Sequence, residues 1–115
     1  MKHPAVYLMA SQRNGTLYLG VTSDLARRVA EHRMHHRPGF TDRYHVTRLV
    51  WFEMHPTMES AIARETAIKR WRRAWKLELI EARNPEWNDL WAMISGAKGL
   101  YSRVRGNDDE ERAPG

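Results

Sequence analysis

A chain of 115 residues with a formal charge of +5 and no cysteine has room for one modest core and not for two. The missing thiols exclude disulfides, thiolate nucleophiles and cysteine-ligated zinc, so any metal must be held by oxygen or nitrogen; a reducing cytosol suits such a composition. No apolar run approaches the roughly 20 residues needed to cross a bilayer, and the expectation is a cytoplasmic protein that avoids membranes.

The charge is unevenly placed. Asp108, Asp109, Glu110 and Glu111 crowd a Gly- and Pro-containing end, and without residues 106–115 there remain 18 Lys and Arg against 10 Asp and Glu, a net +8. Such an excess favours a polyanion, nucleic acid first. Residues 1–94 read as one domain, and residues 95–115, with little to bury, as a disordered tail.

In chain order, Ala5-Val6-Tyr7-Leu8-Met9-Ala10 reads as a strand, Asn14-Gly15 as a tight turn, and Thr16 to Val21 as its antiparallel partner. Within that hairpin Tyr7 and Tyr18 can share a face, each with the bland alternative of a core aromatic whose hydroxyl is satisfied. Thr22-Ser23-Asp24 offers caps for a helix starting near Leu25, on which Leu25, Arg28, Val29 and His32 form one stripe. An arginine on an inward stripe needs an anionic partner, either a carboxylate of the chain or a bound anion.

His35, His36, Pro38 and Gly39 end that helix and open a loop. His32 and His36 have zinc-ligand spacing but no third ligand beside them, so a dedicated zinc site is not expected. Arg48 to Glu53 reads as a third strand, and Thr57 as the cap of a helix whose Met58, Ala61, Ile62, Glu65 and Ile68 share a face. A carboxylate in that stripe must be neutralised, paired or bound to a cation; a salt bridge to Arg28 is the internal alternative. Lys69 to Lys76 then places five positive charges around Trp71 and Trp75, read as a basic helix. Charges there can neutralise phosphates and an exposed Trp can stack on an unpaired base, although at least one Trp should be core. A helix through Leu77 to Ile80 must end by Asn84-Pro85, and Trp87 to Trp91 reads as a short helical cover. The fold class is α/β: a small three-stranded, mainly antiparallel sheet flanked by helices.

Taken as an ordered set, these residues resemble the GIY-YIG nuclease superfamily. The set comprises Val6-Tyr7-Leu8, Tyr18-Leu19-Gly20 beginning ten residues after Leu8, Arg28 ten after Tyr18, His32 four further on, and Glu65 in Ala63-Arg64-Glu65-Thr66-Ala67. The resemblance spans about Val6 to Trp91 and is closest to small stand-alone bacterial members, which share a basic Trp-containing helix and an Asn-Pro-x-Trp run like Asn84-Pro85-Glu86-Trp87. Val21 stands where some repair nucleases of the superfamily carry lysine.

The resemblance implies a DNA endonuclease dependent on Mg²⁺ or Mn²⁺, without a small-molecule cofactor, acting on branched, damaged or single-stranded DNA in a process such as DNA repair. Glu65 would hold the metal; Arg28 would offset charge on the transition state; Tyr7 would orient water or Tyr18. Tyr18 would serve as general base, although an ordinary tyrosine with a pKa of about 10 is a poor one at neutral pH, and His32, ordinarily about 6.5, is its rival. Gly20 would let the substrate backbone approach, Lys69, Arg70 and Arg73 would contact DNA, and either Asn88 or Asn84 would support the metal. The alternative is a nucleic-acid-binding module of the same fold with weak catalysis.

Overall fold

The computed structural model describes residues 3–34 and 45–95. The expectations placed on His35, His36, Pro38, Gly39 and the tail beyond Ser95 lie outside the described residues.

Three strands, β1 (Ala5–Ala10), β2 (Leu17–Thr22) and β3 (Arg48–Met54), form an antiparallel sheet in the order β2-β1-β3. β1 is the middle strand and every one of its residues is buried, which explains why its sequence is apolar throughout rather than alternating. The helices among the described residues are α1 (Leu25–Arg33), α2 (Met58–Lys69), α3 (Arg73–Arg83) and α4 (Trp91–Ile94). The side chains of β1 alternate between two cores. Val6, Leu8 and Ala10 pack with Ala61 and Ile68 of α2 and Ile80 of α3, whereas Ala5, Tyr7 and Met9 pack with Leu25 and Val29 of α1 beside Trp91 and Ile94. The sheet therefore has α2 and α3 on one face, α1 and α4 on the other.

Local signals set the element ends. Asn14 takes a positive φ of 59° in the hairpin turn, a conformation asparagine tolerates better than most residues. Asp24 caps α1 by accepting the Arg27 N–H at 3.3 Å, and Thr57 Oγ1 caps α2 by accepting the Ser60 N–H at 3.0 Å; such caps contribute about 1 kcal/mol each.

Three expectations need correction. Ile62 is 47% exposed; the buried stripe of α2 is narrower and leaves it about 100° around from Ala61. Lys69 to Lys76 is not one helix, because α2 closes with short-range bonds from Arg70 N–H to Ala67 and from Trp71 N–H to Ile68, and Arg72 is extended before α3 begins. That break lets α2 and α3 lie on the same sheet face.

The third correction concerns Trp87 to Leu90, which precede the last helix and instead seal the outer edge of β3. The Leu90 N–H donates to Leu49 O at 2.8 Å, Asp89 Oδ1 accepts the Leu49 N–H at 3.2 Å, and Asn84 Nδ2 donates to Val50 O at 3.0 Å. An edge strand so covered cannot recruit another strand on that side.

Candidate active site

β1 and β2 pair with Tyr7 opposite Gly20 and Met9 opposite Tyr18, which puts both tyrosines on the α1 face with ring centroids 6.2 Å apart. Helix α1 crosses above them and lowers His32 into the same cluster, 6.0 Å from the Tyr7 ring and 5.2 Å from the Tyr18 ring. The Tyr7 hydroxyl lies 3.2 Å from His32 Nε2 in a buried hydrogen bond. Tyr7 is fully buried and His32 is 4% exposed, whereas Tyr18 is only partly covered. Two inner groups thus stand behind one outer phenol.

Gly20 has a different task from the one expected of it. A Cβ built there would fall 2.5 Å from both Cζ and the hydroxyl oxygen of Tyr7, so the space the glycine opens is filled by the Tyr7 ring rather than left for a substrate. The close approach is intramolecular, and it fixes the tyrosine against the edge strand.

Arg28 sits one turn before His32, with a side chain 32% exposed, and its Nε pairs with Glu31 Oε1 at 3.3 Å. Glu65 pairs instead with Lys69, Oε2 to Nζ at 3.3 Å, its own side chain 14% exposed and that of Lys69 69% exposed. Arg28 and Glu65 are therefore not each other's partner. Nor do they share a layer: Glu65 belongs to α2, between Ala61 and Ile68, on the sheet face opposite the tyrosines. The donor set fits a lightly coordinated Mg²⁺ or Mn²⁺, which often takes one or two carboxylates and keeps most of its waters. Glu65 supplies such a carboxylate, largely shielded and, among the described residues, paired with the exposed Lys69. Among the described residues no group of three or more His, Asp or Glu could cage a metal.

Of the basic residues, Lys69 is occupied as described and Arg73 donates to the backbone carbonyls of Asn14 and Gly15 at 2.9 and 2.7 Å, tying α3 to the hairpin turn. Arg70 is exposed at the end of α2. The two asparagines divide. Asn84 is 5% exposed, with its amide committed to Val50 O, Asn88 O and the Asn88 N–H. Asn88 is exposed and lines an open groove with Ser11, Arg33, Thr47, Arg48 and Asp89 at the C-terminal end of α1. That groove was not anticipated; in sequence its arginines look like ordinary surface, and only Asn88 pointed towards it.

A model of the GIY-YIG catalytic domain matches residues 3–78. The chain belongs to the GIY-YIG family. It is 36% identical over 70 residues to UPF0213 proteins of Staphylococcus aureus strains Mu3, Mu50 and N315, a stretch covering 61% of this chain and 85% of each relative. Among solved structures it is similar to the solution NMR structure of a UPF0213 protein from Bacillus halodurans, with 24% identity, a TM-score of 0.48, and coverage of 90% of this chain and 100% of that one. Within this GIY-YIG chain, Tyr7, Tyr18, Gly20, Arg28, His32 and Glu65 all fall inside the matched span, while Asn84 and Asn88 fall outside it.

Proposed function

We propose that this GIY-YIG protein is a DNA endonuclease that hydrolyses phosphodiester bonds with Mg²⁺ or Mn²⁺ and selects DNA by structure, taking branched, damaged or single-stranded forms. The observation that carries the reading is the cluster of Tyr7, Tyr18 and His32, with the Tyr7 hydroxyl on His32 Nε2 at 3.2 Å and Arg28 one helical turn away.

In this reading Tyr18, the outer member, faces the attacking water. His32 is buried with Nε2 engaged by Tyr7, so it acts behind the phenols, holding Tyr7 and through it the packing of Tyr18. As the water oxygen bonds to phosphorus, its proton passes to the Tyr18 oxygen while Tyr18 releases its own to solvent, and the bond to the leaving sugar oxygen breaks as that oxygen takes a proton from solvent. Arg28 exchanges Glu31 for the phosphate and offsets the charge that grows on its oxygens. Glu65 would hold the divalent cation, which when bound would supply Lewis acidity towards the phosphate.

A second reading, a nucleic-acid-binding module with weak catalysis, is favoured by one observation: Glu65 stands on the helix layer opposite the tyrosines and is paired with Lys69. Incubating the purified protein with linear, branched and single-stranded DNA in Mg²⁺, Mn²⁺ or EDTA separates the two. Metal-dependent cleavage that disappears in Tyr18→Phe is expected for the nuclease. Binding without cleavage of any of these DNAs leaves the module.

A further inference from the structure

The break between α2 and α3 leaves an aromatic pair that the tyrosine site does not use. Trp71 packs against the core below α3, while Trp75 is 48% exposed. Their rings meet edge to face, with centroids 6.2 Å apart and planes at 79°, and with Glu78 and Leu79 they line a shallow open groove.

The pair is braced from behind. The Arg64 guanidinium lies 5.5 Å from the centre of the Trp71 ring, and its Nε donates to Glu53 Oε1 at 3.1 Å. The same carboxylate oxygen lies 2.7 Å from Nε2 of His55. A chain of contacts from the end of β3 thus fixes Trp71, and Trp71 fixes the angle of Trp75. An exposed indole ordinarily loses side-chain entropy when it grips a ligand; one held in advance loses less.

Charge selects the occupant. Arg72 lies 5.1 Å from the Trp75 ring, and among the described residues neither it nor the neighbouring Arg70 and Lys76 has a carboxylate partner within ion-pair distance. Two perpendicular indoles beside Glu78 could also enclose a methylated ammonium, but this ring already carries a guanidinium and the surrounding field repels another cation. A planar base flanked by phosphates meets both halves of the site once Arg72 turns from the ring to a phosphate, the ring by stacking and the cations by neutralisation.

We propose that Trp75, seated on Trp71, is a stacking subsite for one unpaired nucleobase of a strand whose phosphates lie along Arg70, Arg72 and Lys76. This deepens the nucleic-acid reading of the GIY-YIG domain and rests on it, though not on cleavage.

The test is equilibrium binding in EDTA to short oligonucleotides carrying 2-aminopurine. The ligands are a single strand, a duplex with a one-base bulge and a blunt duplex, each as DNA and RNA, and the proteins are the wild-type chain, Trp75→Ala and Trp75→Phe. Trp75→Ala should weaken the single strand and the bulge about tenfold and leave the blunt duplex unchanged, and Trp75→Phe should restore most of the loss. Quenching of 2-aminopurine should fall in parallel. A preference between the DNA and RNA arms names the source of the base, and equal losses place recognition in base and phosphate alone. Equal weakening of all three ligands, no weakening, or tight binding of a trimethyllysine peptide that abolishes oligonucleotide binding would overturn the proposal. Cleavage is scored separately: if the wild type cleaves nothing while Trp75→Ala selectively loses the single strand, the nuclease reading fails and the subsite stands. If the wild type cleaves and Trp75→Ala binds normally, the subsite fails alone.

Discussion

Tyr7, Tyr18 and His32 on one side, and Asn84 to Asp89 on the other, are both polar clusters assembled from elements far apart in the chain, yet they direct their hydrogen bonds differently. Asn84 bonds main-chain groups of β3 and of its own segment, and Asp89 Oδ1 does the same while its Oδ2 accepts from the Arg33 guanidinium. Tyr7 and His32 bond each other, side chain to side chain, behind a partly exposed phenol. A polar group committed to backbone holds the fold. One whose partner is another titratable side chain, at the rim of an open surface, is available for chemistry. By this criterion Asn84, equally near to Asn88 in the sequence pattern, belongs to the scaffold.

The largest expected effect tests the chemical half of that contrast. Glu65→Gln keeps the shape of the side chain but removes the charge a cation needs, so metal-dependent cleavage should fall at least about a hundredfold, comparable to losing one strong stabilising contact to a transition state. Because Glu65 pairs with the exposed Lys69 and not with Arg28, the unfolding midpoint measured without metal should move little, as befits an ion pair that contributes at most about 1 kcal/mol. Retained cleavage would remove Glu65 from the site, and a large stability loss would make it a structural residue.

Next comes the scaffold half. Asn84→Ala removes two donated hydrogen bonds and one accepted, and strands the Val50 carbonyl against a buried segment. A loss of about 2–3 kcal/mol is expected in urea titrations, with DNA affinity unchanged wherever the variant is folded. If stability held and cleavage vanished, the division between the two clusters would be wrong.

Gly20 joins scaffold to site. Gly20→Ala pushes a methyl group into Cζ and the hydroxyl of Tyr7, and overpacking of this kind costs about 1–3 kcal/mol. The penalty should shrink in a Tyr7→Leu background, where the clashing ring is gone, and a double-mutant cycle in chemical denaturation measures that coupling. Additive effects would mean that the glycine answers to the backbone and not to the tyrosine.

Much of this was legible in sequence because it is written locally. β1 runs over Ala5–Ala10 and α1 starts at Leu25 as the apolar run and its cap predict, and Thr57 caps α2. Tyr7, Tyr18 and His32 converge because strand pairing and helix period put them on one face. What escaped was set by tertiary contacts. No Gly or Pro marks the break at Arg70 to Arg72; it follows from Trp71 turning into the core. Trp87 adopts a φ of 57°, which no propensity suggests, because its fully buried ring donates Nε1–H to Glu81 at 2.7 Å. Partner choice was equally hidden: Arg28 and Glu65 look complementary on paper, but each has a nearer opposite charge on its own helix, three or four residues away.

That choice of partners leads to the smallest effect, and it separates two arginines that sequence treats alike. Arg73 is anchored to the Asn14 and Gly15 carbonyls, whereas Arg70 has no carboxylate partner among the described residues. If Arg70 meets a phosphate, Arg70→Ala should lower the slope of log affinity against log salt by about one, at unchanged stability and for any DNA sequence. Arg73→Ala should act mainly on the hairpin turn, lowering the unfolding midpoint while leaving the slope nearly intact. Salt titrations of both variants against one single-stranded oligonucleotide decide it. A slope that drops only in Arg73→Ala would mean that this guanidinium leaves the turn for the strand, and that the basic junction is rearranged when DNA binds.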